Sequence, residues 1–298
     1  MIQVTGLTKK FDSFLALDSL NLNVRKGSIY GLVGVNGSGK TTLIRHLTGI
    51  YRQDKGTVAI DGENVYDNAG IKARVGYIPD DIWFFPNYSM KMYSGFCGRL
   101  YKNWDARRYQ ALLASFGLNE NARMSKFSKG MQKQAAFTFV MSAMPDVMIL
   151  DEPIDGLDPV VRRIVTQKIV EDVSEREMTV LISSHNLKEM EGICDSIGIL
   201  RQGQMAIERD LDELKSDVHK VQAAYPPDVP PGMEKYGGLN ILHMESRGSV
   251  EIFVVRAKEE ELRARLGAFN PLVFDLLPLS LEEIFIYEME GEYDEIPV

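Results

Sequence analysis

Residues 34–41 read Gly-Val-Asn-Gly-Ser-Gly-Lys-Thr, directly after the apolar run Ile29–Val33 and directly before a helical stretch, Lys40–Thr48, that Gly49 stops. No other segment constrains the fold as strongly. G-x-x-x-x-G-K-[ST] between a strand and a helix dictates a phosphate-binding loop at the carboxyl end of a buried strand. Gly34, Gly37 and Gly39 permit backbone turns that aim successive N–H groups at one anion, and the helix that follows points its positive end the same way. Lys40 is placed to reach the β- and γ-phosphates, and the Thr41 hydroxyl to complete a Mg²⁺ site. Asn36, Ser38 and Thr42 fill out the candidate nucleotide-binding set. The loop alone does not say which nucleotide is used, or for what.

A phosphate loop of this kind needs a carboxylate on a neighbouring strand to hold the metal. Val147–Leu150 is a buried-strand run ending in Asp151-Glu152. Asp151 fits the metal position, and Glu152, next along, is placed to orient or deprotonate an attacking water.

Short strand-like runs with turns between them fill the first 80 residues: Ile2–Val4, Leu20–Val24, Ile29–Val33, Thr57–Ile60 and Val75–Ile78. From about Asp80 to Met144 the pattern turns helical. Strand character returns at Val147–Leu150, Thr179–Ser183 and Ile197–Leu200, with a helix over Val160–Ser174. The prediction is an α/β core interrupted by a helical insertion at about 80–145. After about Leu211 the pattern changes again. Pro226-Pro227 and Pro230-Pro231 mark a linker or irregular turn, Val250–Val255 alternates as a strand and Ala257–Leu266 reads as a charged helix. Ser280 with Glu283 forms a capping box for a last helix stopped by Gly291. The expected organisation is an ATPase domain over 1–210 and a small α+β accessory domain over 211–298.

The net charge of −8 is unevenly placed: seven acids and no Lys or Arg fall within residues 281–298, which leaves −1 for residues 1–280. The acidic balance argues against a nucleic-acid partner, which calls for a basic face. Two cysteines, Cys97 and Cys194, and four scattered histidines suit a reducing compartment and no structural metal. With no signal-like N-terminus and no apolar run of about 20 residues, the expectation is a soluble, cytoplasmic protein that docks on a membrane protein.

Several further segments, in order, resemble the nucleotide-binding subunit of ATP-binding cassette (ABC) transporters over residues 1 to about 210. Phe127-Ser128-Lys129-Gly130-Met131 stands at that family's signature, just before a helix read as Gln132–Met144. Pro153–Pro159, with Asp158, resembles its D-loop. Leu181-Ile182-Ser183-Ser184-His185 resembles its switch-histidine segment, and Phe11 stands where the family stacks an aromatic ring on adenine. The resemblance implies a RecA-like mixed sheet with an antiparallel β subdomain, a helical subdomain, and ATP with Mg²⁺. Two subunits would pack head to tail as a homodimer or heterodimer, Ser128, Gly130 and Asp158 of one reaching the ATP of the other. Glu152 would serve as base, with His185 on the γ-phosphate.

Three positions depart from the family pattern. Asp80 replaces the Gln after Val75–Pro79; it reaches the metal, directly or through water, or else adds negative charge beside the γ-phosphate. Lys129 replaces a Gly, as a cation near the partner's ATP or as a solvated side chain, and Met131 replaces a Gln. Eight of the 27 aromatic residues lie between Trp83 and Trp104, either as the core of the insertion or as a groove for a permease helix. Leu279–Phe285 resembles an ending of drug-, antibiotic- and peptide-exporting ABC ATPases. The expected function is the ATP-hydrolysing subunit of such an exporter, powering a separate permease. A non-transport ABC ATPase acting on ribosomes or DNA, or a low-turnover nucleotide sensor, are the alternatives.

Overall fold

The computed structural model describes residues 1–226 and 236–289. Its backbone divides into two compact units, Met1–Glu208 and the part from Arg209 onward. Residues 290–298, with the Gly291 stop and the last four acids, and Pro230-Pro231 lie outside the described residues.

The first unit opens with two long strands, β1 (Ile2–Phe11) and β2 (Phe14–Val24), paired antiparallel across a tight turn. They extend well beyond the short runs Ile2–Val4 and Leu20–Val24. The hairpin carries lysines and exposed aromatics whose alternation is broken by register shifts at Val4/Leu7, Leu7/Lys9 and Lys9/Lys10, so period-2 patterning fades there. Next come β3 (Ile29–Val33), the loop, α1 (Lys40–Leu47), β4 (Lys55–Ile60), the two-residue β5 (Glu63–Asn64), a short α2 (Ala69–Lys72) and β6 (Val75–Ile78). Strands β2-β1-β4-β5 form one sheet. The apolar face of α1 (Leu43, Ile44 and Leu47, each 0% exposed) fills the space between that sheet and the larger one. Each such buried side chain contributes about 1.5–3 kcal/mol.

The insertion comprises α3 (Met90–Leu100), α4 (Ala106–Ser115), a 3₁₀ turn at Met124–Lys126 and α5 (Lys129–Ser142). The expected start of α5 at Gln132 is corrected. Ser128 is its N-cap, its Oγ accepting from Met131 N at 3.3 Å, so the signature segment forms the first turn of the helix itself.

The chain then returns to the core as β7 (Val147–Asp151), α6 (Pro159–Arg176), β8 (Thr179–Ser184), α7 (Leu187–Glu191), β9 (Ser196–Arg201) and β10 (Gln204–Asp210). The large sheet runs β10-β9-β3-β8-β7-β6, with the β9-β3-β8-β7-β6 pairs parallel. Register decides where the site lies. Val33 of β3 sits beside Ser184 of β8, and Ser183 beside Asp151 of β7. The three strands therefore end level, and the residues that follow them emerge along one edge.

The second unit contains α8 (Leu211–Asp217), β11 (Val218–Ala224), β12 (Asn240–Arg247), β13 (Val250–Arg256), α9 (Glu259–Gly267), β14 (Val273–Leu277) and α10 (Leu281–Met289). Its sheet, β12-β13-β11-β14, is antiparallel throughout. Leu262 and Leu266 of α9 pack on Val221, Ala223, Phe253 and Val255. The expected capping box forms: Ser280 N and Oγ each donate to Glu283 at 3.0 Å, and Glu283 N donates back to Ser280 Oγ at 3.3 Å. Cys97 and Cys194 are unbridged.

Candidate nucleotide site

The loop glycines do different jobs. Gly37 and Gly39 have φ of 81° and 112°, a region that penalises any residue with a Cβ, and Gly39 is the N-cap of α1. Gly34 has an ordinary φ. A Cβ there would meet Leu200 O and Ser38 Oγ, both at 2.5 Å, so its glycine is required by space rather than by torsion.

A cleft of about 280 Å³ lies over this loop, lined by Asn36, Gly37, Gly39, Lys40, Thr41 and Thr42 together with Val35, Phe14, Ala16, Asp80, Asp151 and Glu152. Gly34 and Ser38 lie beneath it. Ser38 is 3% exposed, and its N–H donates to Val35 O at 3.1 Å. The Lys40 ammonium is buried, donates to Gly34 O at 2.6 Å and stands 3.5 Å from Oε1 of Glu152. Nδ1 of His185 lies 3.0 Å from the other oxygen, Oε2, of Glu152. Strand register thus brings the P-loop lysine, the strand-end glutamate and the switch histidine onto one carboxylate.

Asp151 is 2% exposed and accepts from Ser183 Oγ at 2.6 Å; the same hydroxyl accepts from Glu152 N at 3.1 Å. Ser183 therefore ties both acids to β8, a link hidden in sequence within an apolar strand run. Burial and, secondarily, the Asp151 carboxylate push the Tyr77 hydroxyl up to about 12. Among the described residues Asp151 makes no ion pair, and a buried carboxylate without a cation is costly. The donors around it fit a hard cation. No cluster of three or more His, Cys, Asp or Glu occurs among the described residues, whereas Mg²⁺ is typically held by one or two carboxylates plus phosphates and water. Thr41, Asp151 and Asp80 all line the cleft.

The aromatic candidate changes in the structure. Phe14, which sequence reasoning did not single out, lines the cleft and is 64% exposed. Phe11, its cross-strand partner, is turned against Tyr51, edge to face at 5.5 Å, and is absent from the cleft lining. The signature and D-loop residues form a separate cleft of about 410 Å³, lined by Lys129, Gly130, Gln132, Lys133, Asp155 and Gly156 with Asp80 to Ile82. Asp80 alone lines both. Asp158 is the N-cap of α6, its Oδ1 accepting from Val160 N and Val161 N at 3.0 Å.

Six of the eight aromatics from Trp83 to Trp104, together with Tyr109 of α4, show two roles. Phe84, Tyr93 and Tyr109 pack around Phe139 of α5, while Trp83, Phe85, Tyr88 and Phe96 remain exposed.

Comparison with known proteins accords with this geometry. The ABC transporter family pattern matches residues 17–155. The ABC transporter ATP-binding protein YtrB of Bacillus subtilis is 33% identical over 98% of this chain and 99% of its own length. The chain belongs to the ATP-binding proteins of ABC transporters. It is an ABC-type ATPase, and its first unit has that family's mixed α/β cassette fold. The bacitracin transport ATP-binding protein BcrA of Bacillus licheniformis is 34% identical over 72% of this chain and 71% of its own. A solved ATP-binding subunit of an ABC transporter superposes with a TM-score of 0.68 at 26% identity, covering 72% of this chain and 92% of that one. A dimeric cassette bound to ADP and Pi shares the fold, with a TM-score of 0.64 at 21% identity over 71% and 99% of the two chains.

Proposed function

We propose that this chain is the ATP-hydrolysing subunit of an ABC exporter and powers a separately encoded transmembrane permease from the cytoplasmic face of the membrane. Peptides, antibiotics or other amphipathic compounds are the proposed cargo. The convergence of Lys40 and His185 on the Glu152 carboxylate carries the hydrolytic part of this reading. Relatives named for bacitracin transport, linearmycin resistance and Nod factor export support the export part. No helix among the described residues is long and apolar enough to cross a membrane, so the translocation path falls to a partner.

In this reading the N–H groups of Gly37, Gly39 and Lys40 and the start of α1 hold the β-phosphate, and the Lys40 ammonium leaves Gly34 O for the β- and γ-phosphates. Glu152 takes a proton from the water whose oxygen attacks the γ-phosphorus, as the bond to the bridging oxygen of ADP breaks. His185 holds Glu152 and the γ-phosphate in mutual register. Thr41 and Asp151 would hold Mg²⁺, whose charge offsets that of the phosphates. Ser128 and Gly130, at the amino end of α5, are positioned to meet the ATP of a second cassette, with dipole logic like that of the P-loop. Whether that cassette is a second copy or a different ATPase is decided by its identity in the purified complex.

The test is ATP hydrolysis by the purified chain, alone and with its co-purifying membrane protein. Turnover should be stimulated by that partner, abolished by EDTA and restored by Mg²⁺. Metal-independent turnover, or co-purification with nucleic acid instead of a membrane protein, would overturn the reading.

A further inference from the structure

Lys133 lies one turn into α5, behind the signature segment, and is only 9% exposed although it carries a charge. Its Nζ donates to the backbone carbonyls of Glu152 and Asp155, each at 2.8 Å, and stands 3.7 Å from Oδ1 of Asp80. Segments that are far apart in sequence, the end of β6, the start of α5 and the turn after β7, therefore meet at one ammonium. The hydrolytic chemistry above does not use it. A buried lysine is costly unless its donors are filled and its charge is balanced, so its retention calls for a task.

The task is visible in the backbone it holds. Glu152 has φ of 47°, in the left-handed region that a residue with a Cβ enters only when its surroundings enforce it. From one side, Ser183 Oγ accepts from the Glu152 N–H at 3.1 Å. From the other, Lys133 clamps the Glu152 carbonyl. Together they fix both peptide planes flanking this Cα, and so the direction in which its carboxylate leaves the strand end.

We infer that Lys133 is a positioning residue for hydrolysis, clamping the left-handed main chain of Glu152, and that Asp80 is its counter-ion rather than a metal ligand. The inference rests on Glu152 being the base. Asp80 lines both clefts, and an unbalanced carboxylate there would repel the γ-phosphate. Lys133 supplies the balancing charge. The acid at position 80 is thus matched by a base on α5, a pairing of opposite charges that joins the insertion to the hydrolytic edge.

Steady-state ATP hydrolysis and titration of the full chain with a fluorescent ATP analogue separate the possibilities. Lys133→Met should lower kcat tenfold or more while changing nucleotide Kd less than about threefold, because misplacing a reacting group by about 1 Å is enough for such a loss. Lys133→Arg should return kcat to within about threefold of the parent. Asp80→Asn added to Lys133→Met should recover at least threefold of the lost kcat, since the stranded carboxylate is then gone. Retained kcat in Lys133→Met, or losses of kcat and affinity in equal proportion, would overturn the positioning role. Independent, multiplying losses in the double variant would overturn the counter-ion role. If Lys133→Met fails to fold, Lys133→Gln is read on the same scale. Glu152→Gln is assayed alongside. Parental turnover in that variant removes the base and this inference with it. An inactive Glu152→Gln beside an unaffected Lys133→Met removes this inference alone.

Discussion

Nδ1 of His185 stands 3.0 Å from Oε2 of Glu152, although the two residues follow the ends of different strands and lie 33 positions apart. The contact exists because β7 and β8 pair in parallel with Asp151 beside Ser183, so Glu152 and His185 leave the two strand ends side by side. Glu152→Gln should reduce kcat by about 10²–10⁴ while ATP binding persists, the range for loss of a positioned base. Single-turnover hydrolysis with binding measured in parallel is the check, and unchanged turnover would sink the assignment.

Lys40 is buried and shared between Gly34 O and Glu152. Charge-assisted hydrogen bonds are worth about 1.5–3 kcal/mol, so Lys40→Ala should weaken ATP binding by about 10- to 150-fold. Equilibrium nucleotide titration reads this directly. A loss below threefold would mean that the ammonium does not turn to the phosphates.

The aromatic ring that meets the base is open to a simple comparison. Phe14 lines the cleft, whereas Phe11 is engaged with Tyr51 and lies 5.5 Å from Lys9 Nζ. A ring contact is worth about 0.5–1.5 kcal/mol beyond its area. Phe14→Ala should therefore cost about three- to tenfold in ATP affinity, and Phe11→Ala less. The reverse order would return the role to Phe11.

In the second unit, hydrogen bonds from Lys220 and from Ser280 hold the Glu283 carboxyl near pKa 2, below its ordinary 4.5. A depressed acid stabilises the fold above its unfolded pKa, so the contribution is complete above about pH 5 and is lost as pH falls from about 4.5 toward 2. Discounted for a side chain one-third exposed, it amounts to about 1 kcal/mol. Amide hydrogen exchange of β11 and β13 in the full chain should show this acid-dependent loss of protection. Glu283→Gln should start from lower protection at pH 7 and show a flatter acid response.

The motifs that carry chemistry were legible because they are local. A phosphate loop needs its glycines, lysine and threonine within eight residues, and a capping box needs Ser280 and Glu283 three apart; such features are written in consecutive positions. Strands buried on both faces, such as Val147–Leu150, were equally plain as continuous apolar runs. By contrast, β11, β12 and β14 carry no clear strand pattern in the sequence. Each mixes polar with apolar residues, as in Val-His-Lys-Val-Gln-Ala-Ala at 218–224; the strand character of β11 and β14 comes from pairing partners tens of residues away, and that of β12 from the neighbouring β13.

The sequence by itself determined a phosphate loop with its strand-end acids and, through motifs that resemble those of ABC ATPases in the same order, the family. Only the folded chain decided which side chains share a carboxylate, that Phe14 rather than Phe11 lines the cleft, and that Lys133 reaches Glu152 and Asp80. Those relationships depend on strand register and on α5 crossing behind the sheet edge. Register is set by which residues bury against which partners across the whole core, so no window of the sequence contains it.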